Sequence, residues 1–185
     1  MGVQIEQELG ARFEGVHLKY VRESQPLGTG GCLLFAYQQV RPEEPFLVLN
    51  GDTYFEVNLS TLDSTARLND SDWCLSLFVS TDNDRYMPVY NSASGELEFG
   101  AHPAKLGNRD ELLVNGGVYW LRPEALEPFE NDVGKKLSLE SEIIPRCKEL
   151  GQRIVGYRSD SVFIDIGVPE DFKRAQEMRC FTGGP

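Results

Sequence analysis

Histidine is nearly absent from this 185-residue chain, cysteine is sparse, and no long apolar run occurs. The two histidines, His17 and His102, stand alone. Neither has a Ser, Cys or metal-ligand partner pattern nearby, which excludes a histidine-based triad. The four cysteines, Cys32, Cys74, Cys147 and Cys180, form no C-x-x-C pair. That pattern gives neither a zinc site nor a disulfide framework, and predicts reduced, mostly core cysteines in a cytoplasmic protein. No apolar stretch approaches the ~20 residues of a membrane span. The opening Met1-Gly2-Val3-Gln4-Ile5-Glu6 has no basic segment followed by an apolar one, so no signal peptide is expected. Position 6 is Glu rather than the Ser or Thr of a myristoylation site. Basic residues are also few: 18 against 29 acidic, a net charge of −11. This excess argues against nucleic acid or an anionic membrane as partner. A small nucleotide stays compatible, because a bound Mg²⁺ and backbone N–H groups neutralise phosphates locally.

What is present is ordinary for one globular domain over residues 1–185: 41% hydrophobic and 25% charged. A first strand is predicted over 17–21, a glycine-dense loop over 26–31 and a helix over 32–40. Residues 46–50 form a strand whose apolar run fits burial on both faces of a parallel sheet. A helix follows over 59–68 with Asn58 as its N-cap, then a strand over 73–80 and short hairpin strands near 87–90 and 95–99. The strand over 113–121 is interrupted by Gly116 and Gly117, which implies a bulge or a close backbone approach. A helix over 139–150 contains Pro145, which predicts a kink or a later start, and ends at Gly151 as a left-handed cap. Strands over 153–157 and 161–166 precede a last helix over 169–178, with Pro169 suited to its first position and Glu170 and Asp171 to its positive end. Strands alternating with helices give the α/β class with a mostly parallel sheet.

Several positions could bear chemistry. Asp52, in Asn50-Gly51-Asp52, follows a predicted central strand, at the edge where open α/β sheets bind ligands. Its carboxylate suits a hard cation such as Mg²⁺, but the tripeptide is equally ordinary turn chemistry. Asp165, among Phe163, Ile164 and Ile166, is costly to bury unless paired or metal-bound. It could complete a Mg²⁺ site with Asp52 or cap the following helix; Pro169, four residues on, favours the metal. Gly28-Thr29-Gly30-Gly31 precedes a helix and could cradle a base or phosphate with backbone donors, or be a tight turn and helix start. Glu140 either favours a helix dipole or accepts two sugar hydroxyls.

The order and spacing of these segments is more specific than any one of them. Pro26-Leu27-Gly28-Thr29-Gly30-Gly31, Leu49-Asn50-Gly51-Asp52, Asn115-Gly116-Gly117-Val118-Tyr119, Ser138-Leu139-Glu140 and Phe163-Ile164-Asp165-Ile166-Gly167-Val168-Pro169 together resemble the sugar-phosphate nucleotidyltransferases. Within them the chain is most similar to the heptose 1-phosphate and mannose-1-phosphate guanylyltransferases. The resemblance runs over about residues 4–179. It implies a Rossmann-like, GT-A-like three-layer sandwich with a mostly parallel mixed sheet. It further implies transfer of a nucleotidyl group, GMP from GTP being preferred, to heptose or mannose 1-phosphate. Asp52 and Asp165 would hold the catalytic Mg²⁺, and Glu23, Gly28, Gly30 and Gly31 would face the nucleotide. Asn115, Gly116, Gly117 and Glu140 would take the sugar.

Three departures accompany the resemblance. The family opens with a strand and a Gly-rich loop bearing an arginine and a later lysine, and roughly 60 residues of that kind, about two βα units, are not found here. Without them an uncovered sheet edge and weak or no turnover by these 185 residues are expected. The family's Glu-Lys-Pro is replaced by Ala101-His102-Pro103, with Lys105 near enough to substitute. Val168 stands where a Thr or Ser cap is usual, at a cost of about 1 kcal/mol. Two other readings remain: a non-catalytic relative that binds a nucleotide or nucleotide sugar as a regulatory or assembly subunit, and a metal-dependent glycosyltransferase. The second wants an Asp-x-Asp pair where this chain has Asp52 and Tyr54. Sugar, base and oligomeric state, a homo-oligomer included, stay open.

Overall fold

The computed structural model describes residues 2–80, 88–91, 97–99, 112–167 and 169–178. Helix α1 (Gly2–Leu9) has no buried residue. Strands β1 (Arg12–Phe13) and β2 (Val16–His17) form a hairpin in which Glu14 and Gly15 both take positive φ, 46° and 87°, as primed hairpin turns require. The strand predicted over 17–21 therefore ends at His17. Among the described residues no neighbouring strand pairs 18–21, and strand-forming side chains make no strand without a ladder.

Helix α2 (Gly28–Val40) starts four residues before the predicted position, so the glycines are its first turn rather than a loop ahead of it. Then come β3 (Phe46–Leu49), β4 (Thr53–Phe55) and α3 (Leu59–Leu68). Asn58 caps α3 as expected, its Oδ1 accepting the Thr61 N–H at 2.9 Å. Strand β5 (Trp73–Ser80) has the predicted bounds, and β6 (Pro88–Asn91) pairs antiparallel with β7 (Leu97–Phe99). Met87 and residues 95–96 of the predicted hairpin lie outside the described residues, as do Ala101, His102, Pro103, Lys105, Val168 and Cys180.

Strand β8 (Leu112–Leu121) leads into an unanticipated 3-10 helix over Pro123–Asp132, whose two prolines mask the periodicity that would reveal it. A π-type turn (Leu139–Ile143) precedes α4 (Ile144–Glu149). Pro145 thus falls in the first turn of α4, where its missing N–H costs little. Gly151, at φ 79°, closes the helix as expected. Strands β9 (Ile154–Arg158) and β10 (Phe163–Asp165) and helix α5 (Pro169–Glu177) follow. Asp171, in the first turn of α5, is buried and paired with Arg174 at 3.0 Å.

The chain divides into two compact units: residues 1–42 with 126–147, and residues 43–125 with 148–185. In the second unit the strand order is β7-β6-β8-β5-β9, and β3 also pairs with β8. This is the expected α/β class with a mixed sheet, but not the mostly parallel one expected. Among the described pairings of this sheet β5 with β9 is parallel and the others are antiparallel, because hairpin and ribbon connections rather than helical crossovers join most of those strands. Strand β3 was expected to be central and buried on both faces. Instead it pairs antiparallel with β8 alone among the described residues, and Leu47 and Leu49 are 36% and 58% exposed. A central and an edge strand can share one apolar sequence; neighbours distant in sequence decide between them.

The predicted bulge lies in β8. Its register against β5 shifts between Leu75 and Leu77, and Gly117 takes φ 71°. Strands β4 and β10 make a separate antiparallel ribbon. Its Phe163 stacks on Phe78 of β5 at 3.6 Å between centroids, and its Phe55 meets Phe78 edge-on at 6.1 Å. These rings join Leu62 and Ala66 of α3, Val114, Val118 and Trp120 in one apolar core.

In the first unit, Leu137 joins the start of α2. Its O accepts the Gly30 and Gly31 N–H at 2.9 and 3.2 Å, and its N–H donates to Leu27 O at 2.8 Å. Asp132, buried, accepts from Lys135 at 2.6 Å and Arg146 at 2.7 Å. These two hydrogen bonds hold its carboxyl below the usual carboxylate range. Cys74 and Cys147 are buried as expected, whereas Cys32 is exposed: it lies on the outer side of α2 between buried Gly31 and Leu33. No helix among the described residues is long and apolar enough to cross a membrane.

Candidate functional site

In the second unit the carboxylates expected to act together are neighbours. The antiparallel ribbon sets Asp165 opposite Thr53, and the Ile166 N–H donates to Asp52 O at 2.8 Å. Gly167 sits between the two side chains. A Cβ there would lie 2.9 Å from Asp165 Oδ1 and 4.0 Å from Asp52 Oδ2, so both carboxylates face one small space that Gly167 leaves open. The Gly167 N–H donates to Asp165 Oδ1 at 2.8 Å, a local turn that orients this carboxylate ahead of α5. Among the described residues no group of three or more His, Cys, Asp or Glu converges as a metal cage. Two hard carboxylates nonetheless fit Mg²⁺, which ordinarily binds through one or two protein carboxylates and leaves its other positions to water and phosphate.

The bulge of β8 adjoins this pair in the same unit. Asn115 is fixed on both sides of its amide: Nδ2 donates to the Tyr119 hydroxyl at 2.6 Å, and Oδ1 accepts the Gly117 N–H at 3.1 Å. Gly117, at φ 71°, sits where a side chain is strained, and a Cβ there would also stand 2.8 Å from Asn50 Nδ2 and 3.2 Å from Asn50 Cβ. The Asn50 N–H in turn donates to Gly117 O at 2.8 Å. The segment bearing Asp52 is thereby joined to the segment bearing Asn115. Gly116 is closed off by Phe55, whose Cε1 would lie 2.4 Å from an added Cβ. Both glycines therefore serve close packing within this unit. Asn50 and Gly167 were not singled out from the sequence; each stands inside a quoted motif, which was the available signal.

The first unit holds the other predicted residues. Glu23 Oε2 accepts the Leu27 N–H at 3.1 Å. Partial burial of the Cys32 sulfur, together with its hydrogen bond to Glu23 and the charge of that carboxylate, pushes the thiol up to about 11. Gly28 takes φ 72°, and a Cβ on it would lie 2.5 Å from Leu137 O; on Gly31 it would lie 2.2 Å from Lys135 O. The glycines are required by this approach, and two of the N–H groups that could have met a phosphate are engaged by Leu137 O. Ser138 caps the π-type turn, its Oγ accepting the Ser141 N–H at 3.2 Å, while Glu142 accepts the Ser138 N–H at 2.8 Å. Glu140 Oε2 accepts hydroxyls from Thr29 at 3.2 Å and Ser138 at 3.4 Å. Thr29 was not singled out by the sequence reading, although it lies inside the glycine motif. Lys105 lies outside the described residues.

No family model matches the chain. Curated proteins do. The chain is 32% identical over 173 residues to a D-glycero-alpha-D-manno-heptose 1-phosphate guanylyltransferase of Aneurinibacillus thermoaerophilus, covering 94% of this chain and 72% of that protein. It is 37% identical over 160 residues to the protein of the same name from Campylobacter jejuni, covering 86% of this chain and 66% of that one. Among solved structures it is similar to HddC from Yersinia pseudotuberculosis complexed with GMP-PN. That likeness has a TM-score of 0.75 at 26% identity and covers 95% of this chain and 72% of the other.

Proposed function

The chain belongs to the sugar-phosphate nucleotidyltransferase family, and on that premise we propose that it transfers GMP from GTP to heptose or mannose 1-phosphate, giving a nucleotide sugar and pyrophosphate. The observation that carries the reading is the meeting of Asp52 and Asp165 across Gly167. The same reading takes residues 1–185 as one nucleotidyltransferase domain of a cytoplasmic enzyme, with homo-oligomerisation compatible.

Asp52 and Asp165 would hold Mg²⁺. Bound there, the ion would offset triphosphate charge and help to orient the α-phosphate. An oxygen of the sugar 1-phosphate attacks the α-phosphorus in line; the new P–O bond forms as the bond to pyrophosphate breaks. The nucleophile is already anionic, so no side chain need remove a proton, and positioning and charge carry the rate. Glu23, held by the Leu27 N–H, would accept from guanine N1–H and N2–H₂. Gly28, at the start of α2, would lie against the base, with Gly30 and Gly31 keeping that turn close-packed. Glu140 would accept sugar hydroxyls, Asn115, Gly116 and Gly117 would let the sugar approach the strand, and Lys105 would neutralise its phosphate.

The test is Mg²⁺-dependent pyrophosphate release with GTP, UTP, ATP, CTP and dTTP crossed against heptose, mannose, glucose and N-acetylglucosamine 1-phosphates. Weak release with GTP and heptose or mannose 1-phosphate, reduced about a hundredfold or more in Asp52→Asn, is the expected signature of the enzyme reading. Folded protein that binds GTP in a calorimeter but releases no pyrophosphate across the panel would instead point to a non-catalytic nucleotide-binding relative or to turnover lost with the family's Gly-rich loop.

A further inference from the structure

We propose that Thr29 is a positioning residue for Glu140, an inference that rests on the guanylyl-transfer reading and gives its sugar-binding carboxylate a fixed orientation. The Thr29 hydroxyl makes two contacts. It accepts the Leu139 N–H at 2.9 Å and lies 3.2 Å from Glu140 Oε2. A hydroxyl has one proton, and an ionised carboxylate only accepts. With the Leu139 amide as donor to Thr29, the hydroxyl proton points to Glu140. Ser138 repeats the pattern more weakly: its Oγ accepts the Ser141 N–H at 3.2 Å and stands 3.4 Å from the same Oε2. Two hydroxyl donors therefore converge on one carboxylate oxygen, with Thr29 the nearer.

Thr29 is itself held. The chain before and after it is tied to the 137–139 segment, through Leu27 O with the Leu137 N–H at 2.8 Å and through the Gly30 N–H with Leu137 O at 2.9 Å. Of the ties between these two segments, the Thr29 hydroxyl is the one that ends on a side chain assigned to the sugar. Gly28, the preceding residue, is assigned to the base. A change at Thr29 should therefore alter recognition of the sugar while leaving recognition of the nucleotide alone.

The test compares affinities for GDP and GDP-mannose, the second carrying mannose esterified to the terminal phosphate of the first, by calorimetry with Mg²⁺. Thr29→Val removes the hydroxyl at nearly constant volume, Thr29→Ser keeps it, and Glu140→Ala removes its target. Thr29→Val should weaken GDP-mannose about five- to tenfold and GDP less than about twofold. Thr29→Ser should bind GDP-mannose like the unaltered protein, and the Thr29→Val loss should vanish in the Glu140→Ala background. Equal weakening of GDP and GDP-mannose, or a loss that persists without Glu140, overturns the inference alone. Unaltered protein that binds neither probe, or that draws nothing from the sugar, overturns the assignment of Glu140 and this inference with it.

Discussion

Phe55 fills the space in front of Gly116: an added Cβ at that position would lie 2.4 Å from its ring carbon Cε1 and 2.9 Å from Ser76 Oγ. One glycine thus lets the β4–β10 ribbon seat its ring in the core of the second unit.

Gly116→Ala should therefore destabilise the protein by about 1–3 kcal/mol, because the new methyl has no room and the buried ring must shift. Urea denaturation followed by tryptophan fluorescence would measure the loss. Phe55→Leu in the same background should recover part of it by clearing the notch. A Gly116→Ala protein as stable as the unaltered one would refute the assignment.

Gly167→Ala tests a different demand. Its methyl would meet a movable carboxylate, 2.9 Å from Asp165 Oδ1, rather than backbone. Stability should change by less than about 1 kcal/mol while Mg²⁺ affinity falls about tenfold. Calorimetric titration of Mg²⁺ alongside thermal melting separates the two effects. Unchanged affinity would mean that the ion does not use this space.

Asp132 should give the fold an acid-sensitive contribution. Hydrogen bonds from Lys135 and Arg146 lower its pKa in the folded protein. The stabilisation is then complete above the unfolded carboxylate value of about 3.9 and disappears as pH falls through the lower folded value. Asp132→Asn should cost about 1–2 kcal/mol at pH 7, since both cations are partly exposed. That difference should narrow steadily below about pH 4. Parallel urea curves at pH 7, 5 and 3.5 would show it; a constant difference would exclude the ionic origin.

Cys32 should be unreactive for an exposed thiol. With its pKa pushed up to about 11, about one molecule in a thousand carries the thiolate at pH 8. Glu23→Gln removes a hydrogen-bonding carboxylate and its charge, so the pKa should fall and alkylation quicken. Peptide-level mass spectrometry after iodoacetamide treatment would follow Cys32 itself. An unchanged rate in Glu23→Gln would show that burial alone sets the thiol.

Local chemistry was legible in the sequence. Asn58 as cap, Gly151 as left-handed terminator, the bounds of β5 and the bulge in β8 each depend on a few neighbouring residues, and each stands where expected. What depends on distant neighbours was misread. Phe46–Leu49 has the composition of a doubly buried strand, yet its exposure is decided by what pairs beside it. The glycines over 28–31 suggest an open anion cradle, yet the approach of Lys135 and Leu137 from far along the chain makes them a helix start. The meeting of Asp52 and Asp165 was inferred from motif order, because no local pattern joins strands so far apart. The space kept by Gly167 had no sequence signal beyond its place in that motif.

The glycine turn divides the evolutionary freedom of the segment proposed above to face the nucleotide. Positions 28, 30 and 31 are each barred to side chains by atoms of the 135–143 segment, so substitution there is penalised whatever nucleotide is used. Glu23 is exposed and bonds to its surroundings through its carboxylate. On the proposed reading of Glu23 as the base-facing carboxylate, a lineage or a directed-evolution library could retune base preference at position 23, at the cost of the hydrogen bond from the Leu27 N–H. Selection for a new donor nucleotide would then register first as drift at that one carboxylate, against a glycine framework that stays still.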